Sequence, residues 1–146
     1  MAIGQGDNLV TPLQLVRMVS VIANGGQLVR PHLLKTVAGK KVKVDKNREL
    51  KLDRRILNSI NRSMREVIDD PEGTAHVAKI LGLKIHGKTG TAQVFEQEPH
   101  GWFVGYAGKD KPKYAFCVFL ENGGSGFFSC VVAERILRDM LEQGLF

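Results

Sequence analysis

The apolar residues of this chain change their period between one stretch and the next, and that change constrains the fold more than any other feature. From Gly101 to Leu120 they alternate or run continuously, as in extended backbone; before Pro71 and from Val132 onward they return every third or fourth position, as in helices. Gly101 to Ala107 sets Trp102, Val104 and Tyr106 against Phe103 and Gly105, which predicts a strand. Lys113 to Leu120 is apolar on both faces through Tyr114-Ala-Phe-Cys-Val-Phe-Leu120, which predicts an interior strand at the centre of a sheet. The short, turn-rich Gly108-Lys-Asp-Lys-Pro112 between them predicts an antiparallel hairpin. Lys84 to Phe95 reads as a third extended segment.

Three helices are expected outside this sheet. Thr11-Pro12 offers a capping hydroxyl and a proline for the first helical position, and Asn24-Gly25-Gly26 offers a stop. Leu13, Leu15, Val16, Met18, Val19 and Ile22 leave this helix little polar face, so it is expected to be buried on most sides. A second helix is predicted from about Asp53 to Asp70, where Ile56, Leu57, Ile60, Met64, Val67 and Ile68 recur at helical steps before Pro71. A third is predicted near the C-terminus, with Val132, Ala133, Ile136, Leu137, Met140 and Leu141 as its apolar stripe and Gly144 as its stop. Helices outside an antiparallel sheet of about three strands make an α+β architecture.

Composition narrows the functional classes. With 146 residues, 43% hydrophobic and 25% charged, the chain has the balance of one globular domain and not of a disordered, collagenous or coiled-coil segment. The longest uncharged runs, Met18 to Val29 and Asn122 to Ala133, are partly polar and shorter than the ~20 apolar residues of a membrane span. The opening Met-Ala-Ile-Gly-Gln-Gly lacks the basic flank and apolar stretch of a signal peptide, so the chain is expected to be soluble as it stands. Of the net charge of +6, most is local: Lys40 to Arg55 holds eight basic and three acidic residues, with no aromatic among them. That pattern predicts a solvated surface, with an acidic partner or an anionic lipid surface as the other reading and no nucleic acid expected. His32, His76, His86 and His100 share no short metal-ligand spacing, so no metal is assigned. Cys117 and Cys130 read as buried thiols, and the sequence leaves open whether they pair.

The chemical signal is Gly87-Lys-Thr-Gly-Thr-Ala-Gln93. Together with Gly82 it satisfies the letters of a phosphate-binding P-loop, but that motif must open a helix, and Leu83-Lys84-Ile85 before it and Gly90 to Phe95 after it lack helical periodicity. On a strand, Lys88 and Gly90 point one way and Thr89 and Thr91 the other, and glycine admits another backbone or a ligand. Here the chain resembles the class B (monofunctional) penicillin-binding proteins, the D,D-transpeptidases that cross-link peptidoglycan. The resemblance runs through Gly4-Gln-Gly6, Asn8-Leu-Val-Thr-Pro-Leu-Gln14, Ala23-Asn-Gly-Gly26, Gly73-Thr-Ala75, the Lys88-Thr89-Gly90 motif and His100-Gly-Trp-Phe-Val-Gly-Tyr-Ala107, in order. It implies an incomplete fold like that of penicillin-binding proteins and serine β-lactamases.

The family's nucleophile motif is missing. Ser20, Ser59, Ser63, Ser125 and Ser129 are followed three residues on by Ala23, Arg62, Glu66, Phe128 and Val132, so the chain holds no Ser-x-x-Lys. Ser59-Ile60-Asn61 has the letters of the second motif, Ser-x-Asn, but stands after Gly4-Gln-Gly6 and not before it, and is read as coincidence. The resemblance therefore implies that residues 1–146 are the C-terminal portion of one transpeptidase domain, inactive alone, whose nucleophile-bearing part lies upstream. It implies substrate or β-lactam binding by Lys88, Thr89, Gly90 and Thr91, with the Thr91 N–H as an oxyanion donor. It also implies no cofactor, and stem peptides, β-lactams and the upstream part as partners. The complete protein is expected to be anchored in the cytoplasmic membrane with this domain on its outer side. A standalone, noncatalytic peptide- or partner-binding domain is the alternative, and uncovered strand edges predict self-association.

Overall fold

The structure is a computed structural model that describes residue 6, residues 9–43 and residues 47–146. Gly4, Gln5 and Asn8 of the resemblance lie outside the described residues, as does Lys46 of the basic stretch. Among the described residues no helix is long and apolar enough to cross a membrane.

The first helix, α1, spans Pro12–Ala23 and starts as the cap predicts. The Thr11 hydroxyl accepts from the Gln14 N–H at 3.2 Å while the Gln14 side chain accepts from the Thr11 N–H at 2.8 Å, a reciprocal capping box. It is not buried on most sides: only Val19 and Val21 are buried, while Leu13 is 58% and Met18 49% exposed. One stripe, with Leu15, Val19 and Ile22, meets the sheet, while Leu13 and Met18 lie off that stripe in solvent. The chain then enters β1 (Gln27–Leu28), β2 (Thr36–Val37), β3 (Lys40–Lys41) and β4 (Arg48–Glu49), with β1 pairing β4 and β2 pairing β3. These short pairs were not expected from the sequence. The second helix, α2, spans Arg54–Asp69, capped by the Asp53 carboxylate on the Arg55 N–H at 2.7 Å.

The main sheet is an antiparallel meander of β5 (Lys84–Val94), β6 (Gln97–Gly108) and β7 (Tyr114–Leu120), in the order β5-β6-β7. This corrects the placing of the third strand at the centre, because two successive hairpins put β6 there. β7 is apolar on both faces because each face is packed: Phe116 and Val118 on one core cluster, Ala115 and Cys117 on the other. The last helix, α3, spans Gly126–Glu142, starting before the expected stripe and stopping where Gly144 takes φ +70°. Its buried line is Gly126, Ser129, Cys130, Ala133 and Leu137, while Val132 and Ile136 of the predicted stripe are 37% and 50% exposed.

The sheet separates two cores. On the α3 face Ile85, Phe103 and Ala107 pack with Ile68, Ile80, Leu83, Cys130, Ala133 and Leu137. On the opposite face Val104 and Tyr106 pack with Val19 and Met64, joined by Leu15 and Ile22. An apolar groove of about 640 Å³ opens between α1 and α2, lined among others by Leu15, Met18, Ile22, Ile56, Leu57 and Ile60. This is the expected α+β architecture.

Candidate active-site strand

Lys88, Thr89, Gly90 and Thr91 lie in the middle of β5, which excludes the P-loop because no helix follows the lysine. β5 pairs only with β6 among the described residues, so the motif occupies a sheet edge. Its register with β6 is continuous there: Lys88 opposes Val104, Thr89 Phe103, Gly90 Trp102 and Thr91 Gly101. Directly opposed residues share a face. Lys88 and Gly90 therefore belong with Val104 and Trp102 on the α1 face, and Thr89 and Thr91 with fully buried Phe103 on the α3 face.

Each side of the strand is held differently. The Lys88 side chain is exposed, its Nζ donating to the Thr89 carbonyl at 2.8 Å. The half-buried Thr89 shares a hydrogen bond with Thr74 at 3.1 Å, tying the Gly73-Thr74-Ala75 loop to β5. The Gly126 N–H, at the start of α3, donates to the Thr91 hydroxyl at 3.2 Å. Close approach makes that bond possible: a Cβ on Gly126 would stand 2.7 Å from the Gly90 carbonyl oxygen, and one on Gly101 2.4 Å from that of Ser125. Gly126 was not singled out from the sequence, although the run Gly123-Gly124-Ser125-Gly126 carries the signal that backbones meet closely there.

The other candidates fall into structural roles. Asn61 sits on α2, where its carboxamide oxygen accepts the Tyr106 hydroxyl, and burial pushes that phenol up to about 12. The His86 ring stacks on Tyr106 with centroids 4.6 Å apart. Burial, then the Arg65 guanidinium, holds it down at about 4, so it is neutral. His100 Nδ1 accepts from the Asn122 N–H at 2.9 Å, and Trp102 packs on Phe119 at 4.1 Å. Cys117 and Cys130 are both free thiols, on opposite faces of the sheet, and burial pushes them up to about 11 and about 12. Among the described residues no group of three His, Cys, Asp or Glu side chains could hold a metal ion.

Residues 1–142 match the family model described as the penicillin binding protein transpeptidase domain. The chain belongs to the transpeptidase family of class B penicillin-binding proteins. It is 30% identical over 165 residues to the peptidoglycan D,D-transpeptidase MrdA of Haemophilus influenzae, covering 98% of this chain and 25% of that protein. The MrdA of Acinetobacter baumannii is 34% identical over 92% of this chain and 23% of its own length. Among solved structures, PBP2 of Pseudomonas aeruginosa, crystallised with WCK 5153, superposes with a TM-score of 0.77 at 36% identity, over 90% of this chain and 30% of that one. PBP2 of Helicobacter pylori in complex with MreC gives 0.82 at 29% identity, over 99% of this chain and 27% of that one. The chain thus spans about a quarter of the length of the curated transpeptidases it matches.

Proposed function

We propose that this chain is the C-terminal, substrate-binding portion of a serine-type D,D-transpeptidase that cross-links peptidoglycan. The observation that carries the proposal is the position of Lys88-Thr89-Gly90-Thr91 on an open sheet edge in a member of this family. The reaction is acyl transfer in two steps. A serine upstream of this chain attacks the penultimate D-Ala carbonyl of a stem peptide and releases the terminal D-Ala; an amine of a neighbouring stem then displaces the serine oxygen. A β-lactam acylates the same serine. In this chain Lys88 supplies positive charge, the Thr89 and Thr91 hydroxyls bind the substrate or antibiotic carboxylate, and the free edge of β5 at Gly90 pairs with extended substrate backbone. The Thr91 N–H serves as an oxyanion donor, and loss of one such donor typically costs about 10² to 10³ in rate.

On this reading the upstream part seats against the α1 face, where Lys88, Leu13 and Met18 are exposed. The complete protein is anchored in the cytoplasmic membrane with this domain outside it. The open edges of β5 and β7 also give the chain alone a route to self-association, which a concentration-dependent sedimentation coefficient reveals.

The test begins with the reading frame upstream of Ala2 in the source genome, which must encode Ser-x-x-Lys and then Ser-x-Asn. The complete protein must then be labelled by fluorescent penicillin, and Lys88→Ala must slow that labelling. The chain alone should keep its intact mass in benzylpenicillin, because it holds no Ser-x-x-Lys. An in-frame stop without the two motifs would refute the catalytic reading and leave the noncatalytic binding domain.

A further inference from the structure

The segment after β1 makes a second surface, unrelated to the Lys88 site. Thr36 pairs with Lys41 and Val37 with Lys40, closed by Ala38 and Gly39 at φ +47° and +75°. Two successive positive φ values at the corner of a two-residue loop make a tight hairpin. Every residue from Arg30 to Lys41 is exposed. Leu33 is 101%, Leu34 60% and Val37 55% exposed, with Lys35, Lys40, Lys41 and Lys43 set among them. Between Leu28 and Val44 the sequence holds no Asp, Glu, Phe, Tyr or Trp.

We propose that this hairpin binds an anionic lipid surface, its lysines meeting the headgroups while Leu33, Leu34 and Val37 enter the acyl boundary. Charge alone would suit any polyanion. A hydrated polyanion, however, offers nothing to three exposed aliphatic side chains, whereas a bilayer takes both chemistries within a few ångströms of depth. A folded protein partner is the weaker match, because the hairpin lacks the aromatic anchors that dominate such interfaces.

The test is co-sedimentation of the chain with vesicles of phosphatidylcholine plus phosphatidylglycerol, against phosphatidylcholine alone and against poly-L-glutamate in solution. Binding to the anionic vesicles is expected, weakening as salt rises from about 0.1 M to 1 M and the Debye length falls from about 10 to 3 Å. Lys40→Ala with Lys41→Ala should weaken it about 25-fold, at about five-fold per lysine. Leu33→Ser with Leu34→Ser should weaken it about ten-fold or more. All four side chains are exposed, so neither variant should shift the melting temperature. The proposal is overturned by absence of binding to the anionic vesicles, by equal binding to the neutral ones, by binding that ignores the leucine substitutions, or by poly-L-glutamate binding of equal strength.

Discussion

Replacing Gly126 by alanine tests whether α3 holds the Lys88 strand by direct backbone contact. The added Cβ would stand 2.7 Å from the Gly90 oxygen, 3.0 Å from the Trp102 oxygen and 3.1 Å from the Gly90 nitrogen, where ordinary contact begins at 3.4 Å. All three are backbone atoms, so no rotamer relieves the clash, and helix and strand must separate by about 0.7 Å. Forcing a methyl into packed structure costs about 1 to 3 kcal/mol. Helix propensity alone predicts the opposite sign, a gain of up to about 1 kcal/mol for alanine over glycine. Urea denaturation should therefore show a lower midpoint at unchanged slope, and the melting temperature should fall by about 2 to 4 °C per kcal/mol. Gly90→Ala is the contrast: its Cβ meets nothing nearer than the Trp102 Cβ at 3.4 Å, so its cost should stay below about 1 kcal/mol. A Gly126→Ala variant as stable as the parent would refute the close-contact account. On the proposed function, the same substitution should slow penicillin acylation of the complete protein, because it shifts the Lys88 strand.

Tyr106→Phe removes the donor to Asn61 and should cost about 1 to 2 kcal/mol in chemical denaturation; an unchanged midpoint would mean that this bond holds nothing. His86 is neutral when folded, held down at about 4 against 6.5 when unfolded, so its contribution is complete above pH 6.5 and is lost as pH falls from 6.5 toward 4. Stability should fall by at most about 1.4 kcal/mol per pH unit in that window, less because the ring is partly solvated, and His86→Phe should flatten the slope. Cys130, fully buried with its thiol pushed up to about 12, should resist maleimide at neutral pH until denaturant is added, and rapid native labelling of Cys130 in a peptide map would contradict its placement.

Local signals in the sequence were strong where a single element determines its own ends. Thr11-Pro12, Asp53 and Gly144 mark helix boundaries because caps and positive φ are decided within a turn of backbone. The Lys88 strand was legible for another reason: its spacing matches a known family, and glycine on an edge strand has a physical use. Burial was less legible. α1 is apolar nearly all round, yet Leu13 and Met18 face solvent, because what covers a helix is a property of its neighbours. Val132 and Ile136 failed for the same reason, displaced from the buried line by Gly126, Ser129 and Cys130, small residues that a hydrophobic count overlooks and a close helix-sheet contact requires. The centre of the sheet was misplaced because an apolar run reports that both faces are packed and says nothing of how many edges are paired.

The two faces of the sheet divide the labour of the candidate site. On the α3 face the strand is fastened at successive positions: Thr89 to Thr74, Phe103 opposite it in full burial, and Thr91 to the start of α3. These contacts cross 15 and 35 residues of chain, so β5 is held by elements distant in sequence and not by its own turn. On the α1 face the core stops at Val104 and Tyr106, and Lys88 stands exposed beyond it. A binding strand needs this asymmetry. Its backbone must be stiff enough to present charge, hydroxyls and hydrogen-bond donors at a set spacing along the open edge, while the face that carries Lys88 must stay free of packing. Gly90 leaves the Lys88 face of the strand unobstructed, while Gly126, with no side chain of its own, presses against the Gly90 backbone from the other face.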